Sequence, residues 1–168
     1  MSSFLLTGLL IGLFVAVVTD LLKHRIPNLL VIGLVVLGFL GNALADHSLG
    51  VWTSTSGLLT GLICFLPLHI FGALGAGDVK LLAAVGAVVG AGTAFSAALM
   101  TIAAGGFIAL AYITLRGGFS DMIRRYWKML VHLFYQHPIY IPPAPGEAAG
   151  LRFPYALAIA SGTVLAVL

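Results

Sequence analysis

From Phe4 to Leu22 the chain carries one charged side chain, Asp20, and from Pro27 to Leu44 it carries none. Runs of this kind constrain the fold more than any motif does. A helix that crosses a bilayer needs about 20 mostly apolar residues, with a range of about 17–25. Six segments approach that length: Phe4 to Leu22, Pro27 to Leu44, Val51 to Leu74, Asp78 to Gly90, Thr93 to Leu115 and Pro154 to Leu168. The fourth and sixth are short. The expected fold class is an all-α integral membrane protein, a bundle of about six transmembrane helices forming one polytopic domain over residues 1–168. Composition agrees, since only 8% of residues are charged against about 25% in soluble domains. The N-terminal stretch lacks the basic n-region of a cleaved signal peptide, so it reads as a retained first helix.

The basic residues set the topology. Lys and Arg collect in cytoplasmic loops. Lys23 and Arg25 fall in the first connection and Lys80 in the third. Arg116, Arg124, Arg125, Lys128 and Arg152 fall in or beside the fifth. Six helices with both termini outside put all eight Lys and Arg on one face; five or seven helices would split them. Because these cations are few and sit at segment ends, the net charge of +3 reads as membrane anchoring, and no nucleic-acid partner is expected. The single cysteine, Cys64, excludes an intramolecular disulfide and a paired-cysteine zinc site.

The connection 117–153 has two parts. Phe119, Met122, Ile123, Tyr126, Trp127, Leu130, Leu133 and Phe134 follow the spacing of one helical face. With Arg124, Arg125 and Lys128 on other faces, this predicts a basic amphipathic helix over 119–137, lying on the cytoplasmic membrane surface or packed against the bundle. The prolines at 138, 142, 143, 145 and 154 forbid a regular helix beyond it and predict an extended strap.

Ionisable groups inside a bilayer cost roughly 2.5–3.5 kcal/mol at a helix centre, and they usually mark function. Two acids lie at the expected cytoplasmic helix ends: Asp20 near the end of the first and Asp78 at the start of the fourth. The first helix runs inward and the fourth outward, so both carboxylates reach the same depth. Two carboxyl groups in contact share a proton. The ionised member can take a proton from an attacking water, and the protonated member can assist the leaving group. Gly72, Gly75 and Gly77 clear side chains from the approach to Asp78, which suits a substrate backbone that must come close. The plainer alternatives are a helix cap for Asp78 and an ion pair with Lys23 or His24 for Asp20. A proton- or cation-coupled transporter using the same two acids is the alternative function, and a scaffold subunit of a secretion assembly is a third.

"GAGDVKLLAAVG" at 75–86, "TDLLKHRIPN" at 19–28 and "FPYALAIASG" at 153–162 together resemble the type IV prepilin peptidase family, with its G-x-G-D motif. The resemblance implies an aspartic endopeptidase that cuts the short basic leader of prepilins or pseudopilins at the cytoplasmic face of the bacterial inner membrane. The bond cut follows a glycine and precedes a hydrophobic helix. Asp20 and Asp78 would be the catalytic pair. Gly75, Gly77, Lys80, Lys23, Arg25, Asn28 and Tyr155 are candidate substrate-binding or supporting residues, with membrane anchoring the plainer reading of Lys80 and Lys23. The first cytoplasmic connection is too short for the zinc-binding cysteine insertion of the longer members. The chain is therefore similar to the short, peptidase-only branch, the CpaA/TadV-type enzymes of tight-adherence (Flp) pilus systems. No cofactor or metal is expected; expected partners are the prepilin, the lipid bilayer and the pilus assembly machinery. His69, His132 and His137 lack the spacing of a zinc protease, and His69 reads as a packed, hydrogen-bonded side chain.

Overall fold

The computed structural model describes residues 2–71, 74–115, 124, 127 and 155–167. Among them six helices form and no strand: α1 (Ser3–Lys23), α2 (Asn28–Ala45), α3 (His47–Ile70), α4 (Ala76–Val89), α5 (Ala91–Leu115) and α6 (Tyr155–Val167). Four are long and apolar enough to cross a membrane: α1, α2, α3 from Ser48, and α5 as far as Ala111. The protein is an integral membrane protein with an all-α bundle. The chain divides into two compact units, Met1–Gly105 with Pro154–Leu168, and Gly106–Phe153. The expected amphipathic helix and strap fall in the second, outside the described residues apart from Arg124 and Trp127, both exposed.

Periodicity orients α1. Its buried residues are Leu5, Leu9, Gly12, Leu13, Ala16 and Asp20, one stripe at helical spacing. Phe4, Ile11 and Phe14 face outward, Phe14 being 70% exposed, as side chains in contact with lipid would be. Asp20 is the last member of the inward stripe, which is why it points into the bundle rather than to water. The Ser2 hydroxyl accepts from the Leu5 amide at the start of α1. His24 ends it with a left-handed backbone, φ 48° and ψ 37°, its N–H donating to the Asp20 carbonyl at 2.8 Å. Extended backbone at Pro27 then leads into α2.

The hairpin from α2 to α3 turns on one extended residue, Asp46, with φ −155°. So α3 begins at His47 and ends at Ile70, about four residues before the expected span of Val51 to Leu74 on each side. A single residue suffices for the reversal, and the polar stretch after it is already helical.

α4 is the centre of the first unit. Every residue from Leu81 to Val88 is buried, the pattern of a helix surrounded on all sides. Helices in a bilayer approach closely through small residues. Here Gly57 of α3 and Gly86 of α4 meet back to back, each lacking the Cβ that would run into the other's carbonyl oxygen. α4 has only 14 residues, about 21 Å at 1.5 Å per residue, against a hydrocarbon core of about 30 Å. Its C-terminal carbonyls therefore need partners inside the protein. Asn42 of α2 supplies them, its Nδ2 lying 3.2 Å from the carbonyl oxygens of Ala87 and of Val88 and 3.0 Å from the Ser54 hydroxyl. Ser54 in turn donates to the Gly38 carbonyl at 3.1 Å. Gly90, at φ 81°, then turns the chain directly into α5, a conformation other residues adopt only with strain.

Candidate active site

All of the following residues belong to the first unit. α4 begins two residues earlier than expected. Gly75 is its N-cap, and Asp78 occupies the third helical position. From there the Asp78 side chain reaches back, and Oδ2 accepts the Gly75 N–H at 3.0 Å, half of the reciprocal arrangement common at helix starts. A side chain at 75 would put its Cβ 3.1 Å from that same Oδ2, so glycine here makes room for the carboxylate. At Gly77 the nearest atom to an added Cβ is on Ile26, at 3.5 Å, which is ordinary contact. Crowding thus explains Gly75 and not Gly77. Gly72 lies outside the described residues.

Asp20 is 8% exposed. Its Oδ2 accepts the main-chain N–H of Ala156 at 3.2 Å, one of the first-turn amides of α6 that have no partner within their own helix. Each acid therefore sits at the positive end of a helix, Asp78 on its own and Asp20 on α6, a favourable place for a carboxylate. The helix-cap alternative for Asp78 holds in part, and the Asp20 carboxylate makes a like contact with the first turn of α6. The ion-pair alternative for Asp20 with Lys23 or His24 finds no support: among the described residues no side-chain hydrogen bond or ion pair ties Lys23, His24 or Arg25 to either acid, and all three are exposed.

The two acids are close enough for the charge of Asp20 to act on Asp78, and Asp78 acts in turn on Tyr155. Tyr155 opens α6 with its ring edge-on to Phe65, centroids 6.2 Å apart at 68°. It lies over Gly105 of α5, where a side chain would strike the ring at under 3 Å. At the rim, Lys80 Nζ donates to Asn28 Oδ1 at 3.4 Å, tying the start of α2 to α4. The structure thus gathers Asp20, Asp78, Gly75 and Tyr155, with Asn28 and Lys80 beside them, and leaves Lys23 and Arg25 on the outer turn. An apolar cleft of about 240 Å³ between α1 and α6, lined by Leu6, Leu13, Thr163 and Val167 among others, contains neither acid.

Two contacts of this region have no signature in the sequence, and a third was expected without its partner. The Ala156 amide is a backbone group that any residue could supply. Phe65 is one apolar residue among many. His69, expected to be packed and hydrogen-bonded, is half-buried and donates from Nδ1 to the Leu74 carbonyl at 2.9 Å, closing the loop between α3 and α4; which group would accept its bond was not legible.

A membrane bundle with a carboxyl group at the end of each of two separate helices is the framework of an intramembrane-type hydrolase or of an ion-coupled carrier. The comparison with known families decides between them. A model described as the type IV leader peptidase family matches residues 7–112, well over half of the chain and both acids. The chain belongs to that family, and it is a peptidase. No curated protein and no solved structure matches it.

Proposed function

We propose that the protein is an aspartic endopeptidase that removes the short basic leader of Flp-type prepilins at the cytoplasmic face of the bacterial inner membrane, with Asp20 and Asp78 as its catalytic pair. It would belong to the short branch without the zinc-binding insertion, with both termini on the outer side. What supports the reading is that the family match covers both Asp20 and Asp78, 58 positions apart in sequence, and that α1 and α4 pack together with the charge of Asp20 near enough to bear on Asp78. One carboxylate takes a proton from water as its oxygen attacks the scissile carbonyl. The other carboxyl donates to the developing oxyanion, and the proton then passes to the leaving amine as the C–N bond breaks. Because Asp20 and Asp78 each keep one oxygen on a backbone N–H, the second oxygen of each is left for water or substrate. Lys80, Asn28 and Tyr155 stand where a substrate entering beside Asp78 would meet them. Nothing in the fold or the family match favours the transporter reading.

The test uses purified protein in detergent and a Flp-type prepilin carrying its leader. Asp20→Asn and Asp78→Asn should each lower cleavage by at least about 10³-fold, in the range of general acid–base contributions of about 10²–10⁴. Cleavage at the wild-type rate by both variants would refute the pair.

A further inference from the structure

His69 is half-buried in the last turn of α3, and the mechanism above makes no use of it. Its Nδ1 lies 2.9 Å from the Leu74 carbonyl oxygen. A carbonyl oxygen carries no hydrogen, so Nδ1 must be the protonated ring nitrogen and the donor. The Leu74 carbonyl and the Gly75 N–H are the two ends of one peptide group, and that N–H donates to Asp78 Oδ2 at 3.0 Å. A peptide group is planar, so fixing its oxygen fixes the direction of its hydrogen. Accepting a bond at oxygen also polarises the group and strengthens the bond given at nitrogen, by about 10–30% in condensed-phase estimates.

From this geometry we infer that His69 is a positioning residue for Asp78, acting through the Leu74–Gly75 peptide: it clamps the plane that holds the carboxylate at the first turn of α4. The chain of contacts runs from the end of α3 to the start of α4 across a loop that bears a glycine at its junction with the helix. Without the clamp, the peptide can rotate about the torsions on either side of it, and Gly75 has no side chain to resist. Asp78 would then keep its place in the helix and lose the orientation of its Oδ2. The inference rests on the aspartic peptidase reading given above.

His69→Phe keeps a ring of similar size and deletes the donor. His69→Asn puts an amide nitrogen where Nδ1 stood. In the prepilin assay, kcat for His69→Phe should fall about tenfold, corresponding to about 1.4 kcal/mol, with KM within about twofold. His69→Asn should recover most of that loss. A second readout does not depend on cleavage. In protein labelled with 15N-glycine, the Gly75 amide, assigned by its absence from Gly75→Ala, should shift in His69→Phe and return toward its wild-type position in His69→Asn. Unchanged kcat in His69→Phe, no recovery in His69→Asn, or an unmoved Gly75 amide would each overturn the inference while Asp20→Asn and Asp78→Asn remain inactive. If those two aspartate variants still cleave, the catalytic reading falls, and the inference goes with it.

Discussion

Asn42→Leu is the substitution whose cost can be worked from the structure. Leucine has the same branched heavy-atom skeleton as asparagine with bulkier methyl ends, so the change deletes the hydrogen bonds and adds crowding that can only lower stability further. The Nδ2 group lies near three acceptors, the carbonyls of Ala87 and Val88 and the Ser54 hydroxyl, at 3.0–3.2 Å. An amide nitrogen has two hydrogens, so about two full bonds are at stake. Interhelical hydrogen bonds within membranes average about 0.6 kcal/mol and reach about 1.7, which brackets the loss between about 1.2 and 3.4 kcal/mol. The upper part of that range is expected, because two carbonyls at the end of a helix inside the protein are left without a donor, at roughly 1–3 kcal/mol for a buried unsatisfied group. Reversible unfolding in bicelles by steric trapping gives the number directly. A double-mutant cycle with Ser54→Ala separates the carbonyl contribution from the hydroxyl, since Ser54 keeps a separate bond to the Gly38 carbonyl. If Asn42→Leu unfolds at the same free energy as wild type, or is more stable, then α4 is not held at its C-terminal end by this side chain.

Two further predictions concern the acid end. His24 holds a left-handed backbone at φ 48°, which costs roughly 1–2 kcal/mol for a residue with a Cβ. His24→Gly should raise unfolding free energy by about 0.5–1 kcal/mol after the entropy of the unfolded glycine is subtracted, whereas His24→Val should lower it; equal stability of the two would show that the turn carries no strain. Cleavage by a proton-sharing pair needs one ionised and one protonated carboxyl, so kcat/KM should fall on both sides of an optimum: on the acid side as the base is protonated, on the alkaline side as the acid is lost. The two apparent constants would belong to the pair, and a profile with a single alkaline limb would count against the shared proton.

The apolar helices were legible because each is a local property. A run of apolar residues marks its own length, and expected and observed ends of α1, α2, α5 and α6 agree to within two residues. The direction of Asp20 was also legible in principle, as the final member of the stripe Leu5, Leu9, Leu13, Ala16 and Asp20. The start of α3 was misplaced because Asp46 turns the chain alone, and a polar residue after a span does not reveal how many residues the turn will use. What the sequence hides is pairing between helices far apart in the chain. Asn42 reads as a polar residue near the end of a span; that its amide would meet α4 carbonyls 45 and 46 positions away has no local trace. The same is true of the Ala156 amide beneath Asp20.

That hidden pairing gives the two ends of α4 different characters, and the difference bears on the chemistry. At the C-terminal end a side-chain amide, a positive-φ glycine and a glycine-to-glycine contact with α3 fix the helix. At the N-terminal end the carboxylate of Asp78 accepts one backbone amide from a residue without a side chain. A short helix anchored at its far end sets the depth of its first turn, because the rise per residue is fixed. Asp78 is therefore placed along the bundle axis by contacts at the opposite end of α4, and Asp20 by the inward stripe of α1 together with the first turn of α6. The two acids are thus carried on separately anchored helices, so the depth of Asp78 is set by packing remote from its own carboxylate.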